Sequence, residues 1–183
     1  MKALLIVDMQ NDFMPSGSLG VEGAHHLVEY INGLVDTFDL VVATQDYHPE
    51  GHSSFGQGGW PVHCVQGSHG AEFVSGLNCD RFDYVVQKGL NPEIDSYSAF
   101  FDNAKQHKTP LDAYLKEKGV DEIYVVGVAT DYCVKFTVLD ALELGYSVEV
   151  DLKAVRGVEL QLGDVERAIE EMVSAGGKIA VEV

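Results

Sequence analysis

The sequence predicts a three-layer α/β/α fold, in which helices cover both faces of a mostly parallel, Rossmann-like sheet of six strands. Apolar strand-like runs alternate with helical patterns along the whole length of 183 residues. Alternation of this kind is typical of parallel strands joined by crossover helices. No internal repeat, low-complexity tract or linker interrupts it, and this length buries a full core. We therefore expect a single domain over residues 1–183.

Six short apolar runs are predicted as strands. They are 3–7, 40–43, 84–86, 123–128, 147–150 and 178–183. Helices are predicted between them where apolar residues recur at helical spacing. These segments are 22–38, 109–118, 131–144 and 163–175. Two irregular segments, 44–70 and 89–108, are too long to be simple connections, and loops of that length are usually functional.

Composition excludes several classes of protein. The net charge of −17 argues against nucleic acid or anionic membrane surfaces as partners. No apolar run approaches the ~20 residues of a membrane span, and the run 3–7 ends in Asp8 without a small-residue cleavage site, so we expect a cytoplasmic protein. The three cysteines form no CxxC pair, which argues against a disulfide framework or a zinc finger. A homo-oligomer is compatible with this composition.

The stretch 121–145 joins a buried strand to a helix. The turn after Val128 offers Thr130 or Asp131 as a helix cap, and Gly145 is placed to end the helix. Cys133 then falls in the first helical turn, where unpaired N–H groups and the helix dipole lower the pKa of a thiol and favour the nucleophilic thiolate. The alternative is a buried cysteine that acts as a small apolar residue.

Chemically active side chains follow four of the predicted strands. Asp8 ends the first strand, Asp46 lies just beyond the second, Lys88 follows the third and Cys133 follows the fourth. The carboxyl ends of parallel strands share one edge, outside which ligands bind. Taken singly, Asp8 is equally explained as a turn cap and Lys88 as a solvated strand end. Together they predict an acid, a base, a thiol and a metal ligand at one edge.

The irregular segment 44–70 has the residues of a metal site. Asp46, His48 and His52 lie in DYHPEGH, and His63 follows in WPVH. In an extended Asp-x-His unit the carboxylate and the imidazole point to the same side and can reach one ion. A His/Asp set with open positions suits zinc, iron(II) or manganese and leaves room for water or substrate on the metal.

Six motifs spread over most of the chain in a fixed order. They are ALLIVDMQNDF (3–13), TQDYHPEGHSSF (44–55), WPVHCVQGSHGAEF (60–73), QKG (87–89), SYSAF (96–100) and GVATDYCV (127–134). In these motifs the sequence resembles the nicotinamidases, also called pyrazinamidases, of the isochorismatase-like cysteine hydrolase superfamily. The resemblance implies deamidation of nicotinamide to nicotinic acid and ammonia through a thioester, with pyrazinamide as a side substrate.

The resemblance also implies a catalytic triad of Asp8, Lys88 and Cys133. Asp8 would take the thiol proton and later give it to the leaving ammonia, while Lys88 would favour the thiolate. The oxyanion would be held by the backbone N–H groups of Ala129 and Cys133. The peptide bond between Val128 and Ala129 is expected to be cis, as is typical of this family.

The implied metal site holds one divalent ion, with zinc as the first choice and iron or manganese as alternatives. Its ligands are Asp46, His48 and His63, and His52 is a candidate fourth. In this family the ion is thought to bind the ring nitrogen of the substrate.

A flat ring would be enclosed by Phe13, Trp60 and Tyr97, next to the backbone of Val128 and Ala129. Aromatic walls suit a heteroaromatic amide because they stack on it and exclude water. For Phe13 and Trp60, ordinary core packing explains the same positions.

Two rival hypotheses remain. A metal-free amidase of the same superfamily, acting on carbamoyl or ureido compounds, would share Asp8, Lys88 and Cys133 but would have no use for the Asp/His set. A non-catalytic metal-binding protein would not be expected to keep all three of these residues. We expect an enzyme with a small amide substrate.

Overall fold

The structure is a computed structural model and describes residues 1–180. Its six strands form one sheet in the order β3-β2-β1-β4-β5-β6, and every pairing is parallel. The strands are β1 (Lys2–Val7), β2 (Leu40–Asp46), β3 (Tyr84–Lys88), β4 (Glu122–Val128), β5 (Ser147–Arg156) and β6 (Lys178–Ile179). The predicted fold class is confirmed, with a sheet that is parallel throughout the described residues.

Helices cover both faces of the sheet. They are α1 (Leu27–Val35), α2 (Leu111–Glu117), α3 (Lys135–Glu143) and α4 (Asp164–Ser174). Along β1, Leu4 and Ile6 pack in the layer of α1, whereas Leu5 and Val7 pack in the layer of the other three helices. This alternation is the period of two that a strand buried on both faces requires. Within residues 1–180, no helix is long and apolar enough to cross a membrane.

Three strands extend two or more residues beyond the apolar runs that predicted them. β2 and β3 continue through polar residues because their pairing holds as far as Asp46, which lies opposite Lys88. β5 continues to Arg156 through a register shift against β4. Its buried Asp151 accepts hydrogen bonds from the hydroxyls of Tyr30 and Tyr124, which satisfies a carboxylate inside the sheet. The end of the last predicted strand, 181–183, lies outside the described residues.

The helices are shorter than predicted, chiefly at their N-terminal ends. The segment 22–38 begins with a 3-10 turn, Ala24–His26, before α1. The segment 131–144 begins as a π-helical turn, Thr130–Val134, before α3. Gly145 has φ 94° just beyond α3, the left-handed conformation expected after a helix.

The strand order places a crevice between β1 and β4. These two strands are neighbours, but the chain leaves β1 towards β2 on one side and leaves β4 towards β5 on the other. Ligands of open parallel sheets bind outside the carboxyl ends of the strands at such a switch point. Asp8 directly follows β1, and the turn that carries Cys133 follows β4.

Candidate active site

A single buried lysine connects the polar groups at this edge of the sheet. The Lys88 Nζ atom lies 2.8 Å from Asp8 Oδ2 and 2.5 Å from Asp46 Oδ1. It donates to the Ser96 carbonyl at 2.9 Å and contacts Cys133 Sγ at 3.4 Å. The structure therefore brings together all four side chains that the strand ends predict, with Lys88 only 1% exposed.

Strand register and backbone conformation explain this convergence. Asp46 and Lys88 are direct partners across the β2–β3 ladder, so their side chains leave the same face. Asp8 has φ 49°, in the left-handed region that aspartate tolerates better than most residues. At the end of β1 this conformation turns the chain out of the sheet.

The two oxygens of Asp8 have different surroundings. The Thr44 hydroxyl donates to Oδ1 at 2.6 Å and accepts the Asp8 backbone N–H at 3.1 Å. Oδ2 forms the ion pair with Lys88, but at an angle that gives no hydrogen bond, and no other described group donates to it. Oδ2 is therefore the oxygen that can accept a proton.

Burial and neighbouring charges shift the pKa values of the two carboxylates in opposite directions. Burial raises the pKa of Asp8, and the Lys88 ammonium opposes this shift without cancelling it. Burial would also raise the pKa of Asp46, but Lys88 and His48 hold it well below its usual value. Burial lowers the pKa of Lys88, yet Asp46 and Asp8 outweigh burial and keep it well above the ordinary value. Burial therefore favours the protonated form of Asp8, whereas Asp46 is held ionised.

At Cys133 the direction of the pKa shift is opposite to the lowered thiol pKa that the helix position predicts. Burial raises the pKa of Cys133 well above its usual value; Lys88 lowers it, and the carboxylates of Asp8 and Asp46 raise it. Loss of water around the sulfur is the largest cause of this shift. A thiol in this environment would need a neighbouring base to become a nucleophile.

The turn before Cys133 also differs from the prediction. No side chain caps the π-helical turn, whose N-cap is Ala129. The buried carboxylate of Asp131 instead accepts the backbone N–H groups of Val158 and Glu159, both at 2.8 Å. It ties the turn to the segment after β5 through two charge-assisted hydrogen bonds. The peptide bond between Val128 and Ala129 is cis.

Next to Asp46, three donor atoms converge as a metal site requires. Asp46 Oδ2 lies 3.5 Å from His48 Nε2 and 3.8 Å from His63 Nε2. The Nδ1 atoms of His48 and His63 face the Gly89 and Pro61 carbonyls at 2.9 and 2.8 Å. Since a carbonyl only accepts, each Nδ1 carries a hydrogen, and in the neutral imidazole each Nε2 then offers a lone pair.

His52 belongs to a second, overlapping set. Its ring stacks on that of His48 with centroids 4.1 Å apart, and donor atoms of His48, His52 and Asp95 also lie within 4.8 Å of one another. The Nε2 atoms of His48 and His52 are buried without a hydrogen bond in the described residues. A third set within the same distance is Asp8, Asp46 and Cys133.

The donor chemistry fits a divalent cation. Two carboxylates and one ammonium leave a net charge of −1 around Lys88 when all three are ionised, and a buried net charge is costly. A cation beside Asp46 would offset that charge and would give the buried Nε2 atom of His48 a partner. Imidazole and carboxylate donors with room for a further ligand suit zinc.

A narrow slot leads from these groups towards the surface. It is a narrow cavity of about 30 Å³ that opens towards solvent. Its walls comprise Phe13, Leu19, Asp46, Trp60, His63, Asp95, Tyr97, Ala129, Tyr132, Cys133 and Val158. The Trp60 indole donates to the Tyr97 hydroxyl at 2.9 Å, which joins the two long loops across the slot.

Most of the predicted wall residues line the slot. Phe13, Trp60, Tyr97 and Ala129 do so, whereas Val128 is fully buried in the α1 layer and is not part of the wall. Sequence reasoning missed four wall residues, which are Leu19, Asp95, Tyr132 and Val158. The signals that could have found two of them are the position of Tyr132 next to the nucleophile and that of Asp95 in a loop of functional length.

Comparisons with known proteins identify the family to which the chain is similar. The Isochorismatase domain model matches residues 2–181. A nicotinamidase of Escherichia coli is 44% identical, over 97% of this chain and 93% of that protein. A zinc-bound pyrazinamidase structure from Pyrococcus horikoshii is 42% identical with a TM-score of 0.87, covering 99% of both chains. A nicotinate-bound structure from L. infantum is 39% identical with a TM-score of 0.93, covering 98% of this chain and 92% of that one.

The match spans nearly the whole chain, and it includes the strand ends and loops that build the site. The chain therefore belongs to the isochorismatase family, in the group that contains the nicotinamidases.

Proposed function

We propose that this protein is a metal-dependent cysteine amidohydrolase that converts nicotinamide to nicotinic acid and ammonia. The observation that carries the proposal is the position of Lys88, which contacts Asp8, Asp46 and Cys133 beside three converging metal donors. A thiol, a base and a cation at the end of an aromatic slot are the parts that amide hydrolysis needs.

In the first half-reaction, Cys133 attacks the carboxamide carbon. Its proton passes to Asp8 Oδ2, the oxygen without a hydrogen bond, while the ammonium of Lys88 stabilises the developing thiolate. The backbone N–H groups of Ala129 and Cys133 hold the oxyanion. Asp8 then returns the proton to the leaving nitrogen, so the C–N bond breaks, ammonia departs and a thioester remains.

In the second half-reaction, water attacks the thioester carbon. Asp8, ionised again, takes a proton from the water, the C–S bond breaks, and Cys133 regains its proton as the acid leaves. The same carboxylate serves in both halves because Thr44 fixes its other oxygen.

Asp46, His48 and His63 would hold the divalent ion, with His52 as a fourth candidate ligand; we take zinc as the first choice. When bound, the ion supplies a Lewis acid for the ring nitrogen of the substrate. The aromatic rings of Phe13, Trp60 and Tyr97 orient the flat ring and exclude water.

The test is ammonia release by the zinc-loaded protein from nicotinamide and from benzamide, which has the same shape but no ring nitrogen. We expect rapid release from nicotinamide, much slower release from benzamide, and loss of the nicotinamide reaction after chelation with recovery on adding zinc. Pyrazinamide, which keeps a ring nitrogen in the same place, should also react. No release from nicotinamide by zinc-, iron- or manganese-loaded protein would contradict the proposal.

The runner-up is an amidase for carbamoyl or ureido compounds. It would use the same Asp8, Lys88 and Cys133, but it leaves the convergence of Asp46, His48 and His63 without a purpose. Release of ammonia from a ureido compound, unchanged by chelation, would favour it over nicotinamide hydrolysis.

A further inference from the structure

We propose that Gln10 is a positioning residue that fixes Asp46 and, through it, joins the metal site to the nucleophile. The inference rests on the proposed function, because it assigns Asp46 to the metal. Gln10 lies two residues beyond Asp8 and is fully buried.

The side-chain amide of Gln10 binds both backbone groups of Asp46. Its Oε1 accepts the Asp46 N–H at 2.8 Å, and its Nε2 donates to the Asp46 carbonyl at 2.7 Å. The second hydrogen of Nε2 goes to the Ala71 carbonyl at 2.9 Å. All of the donors of this amide are used, and only one orientation of the amide satisfies these three partners.

Gln10 takes the place of a missing strand. The pairing of β1 with β2 ends at Ile6 and Ala43, three residues before Asp46. β2 continues to Asp46, so its backbone there faces no strand on the β1 side. Asp46 is only 4% exposed, and buried backbone groups need partners. The amide of Gln10 supplies both and extends the ladder by one residue.

The position of Asp46 matters because its two carboxylate oxygens serve different groups. Oδ1 contacts Lys88 at 2.5 Å, while Oδ2 faces His48 and His63 at 3.5 and 3.8 Å. A small rotation of the Asp46 backbone would move one oxygen away from the lysine and the other away from the imidazoles. Groups that orient a metal ligand typically change metal affinity 10- to 100-fold when they are lost.

The chain offers a matched control in Gln45. This residue precedes Asp46, and its amide donates to the same Ala71 carbonyl at 2.7 Å, but it makes no hydrogen bond to Asp46. Its Oε1 instead accepts from Gln87 at 3.0 Å. Loss of an amide that contacts the Ala71 turn but not Asp46 can therefore be separated from loss of the amide that fixes Asp46.

The experiment compares Q10M, Q10E and Q45M with the unaltered chain. Zinc affinity is measured by competition with a chromophoric chelator in the absence of substrate, so its result does not depend on which amide the enzyme hydrolyses. We expect Q10M to weaken zinc binding by at least about tenfold and to lower kcat. Q10E keeps an acceptor for the Asp46 N–H but places an oxygen against the two carbonyl oxygens that received the amide donors, so its zinc affinity should be at least as low as that of Q10M. Q45M should keep zinc affinity within about twofold.

Three outcomes would overturn the proposal. Zinc affinity and kcat unchanged in folded Q10M and Q10E would remove the positioning role. Equal losses in Q45M and Q10M would assign the effect to the Ala71 turn. Failure of both Gln10 variants to fold, judged by near-UV circular dichroism, would make Gln10 a residue of the fold alone. If the unaltered chain binds zinc but does not hydrolyse nicotinamide, the proposed function fails and the zinc measurement still decides the role of Gln10.

Discussion

The two halves of the site are built in different ways. In the half that we propose supplies the nucleophile, Asp8 follows β1, Lys88 ends β3 and Cys133 follows β4, and Lys88 contacts the other two directly. In the metal half, His48 and His63 lie on the loop after β2, and each imidazole is held by a backbone carbonyl. A strand end is rigid because of the sheet, whereas a loop becomes rigid only through such bonds. Substitutions in the two halves should therefore have separable effects.

The largest expected effect is that of C133A in the nucleophile half. Without the sulfur no thioester forms, and we expect turnover of nicotinamide to fall by at least about 10⁴-fold. Zinc content, measured by mass spectrometry of the purified protein, should stay the same. The control is C79A, which changes an exposed cysteine and should keep full activity.

The zinc measurement on C133A also tests the placement of the metal. The sulfur lies within 4.8 Å of carboxylate oxygens of Asp8 and Asp46, and these three residues could hold an ion by themselves. If C133A lost its zinc, the ion would belong to this set and the separation of the two halves would be wrong.

The two halves also differ in how far the sequence predicts them. Asp8, Asp46, Lys88 and Cys133 could be placed at one edge because strands and helices alternate, and parallel strands then share a carboxyl end. The register that sets Asp46 opposite Lys88 leaves no local signal, because it depends on pairing between distant segments. The raised pKa of Cys133 could not be predicted either, since burial is a property of the folded protein.

The walls of the slot could also be predicted from the sequence only in part. Aromatic residues in recognised motifs, Phe13 and Trp60, could be predicted as walls. Val158 and Leu19 reach the slot only through long-range packing. Val158 is held there because Asp131 binds its backbone N–H, and no pattern in the sequence links these two residues.

K88M breaks the connection between the halves and should have the second largest effect. It leaves Asp8 and Asp46 buried without their shared cation, which typically costs about 3–5 kcal/mol of stability. We expect kcat to fall at least about 100-fold and the melting temperature to drop, with zinc restoring part of the stability because it offsets the Asp46 charge. Thermal unfolding with and without zinc measures this.

The control for K88M is K105M. Lys105 is half exposed and pairs with the exposed Glu143 and with the buried Asp140. Water around the lysine limits the contribution of these pairs to about 1 kcal/mol. Equal losses of stability in the two variants would mean that the buried cluster around Lys88 has no special importance.

H48A affects the metal half and should leave the chemistry of the thiol in place. We expect loss of bound zinc and a rise in KM for nicotinamide of at least about tenfold, since a contact to the ring nitrogen contributes ~1.4 kcal/mol or more. The preference for nicotinamide over benzamide should disappear. Steady-state kinetics with both amides measures this. H69A, at a histidine whose side chain is 84% exposed, is the control. If zinc-free H48A kept full activity and the preference for nicotinamide over benzamide, the metal would have no role in substrate binding.

T44V should have the smallest effect. It tests whether residues of one half fix the position of residues in the other. Thr44, on β2, donates to Asp8 after β1, whereas Gln10, after β1, holds Asp46 on β2. Valine keeps the shape but removes a hydrogen bond of ~1.4 kcal/mol to the base, so we expect kcat to fall about tenfold. T44S should restore kcat because it keeps the hydroxyl. Zinc affinity should stay unchanged in both, in contrast with Q10M. A loss of zinc in T44V would mean that the two strand ends move as one unit, and the site would then have a single framework in place of two.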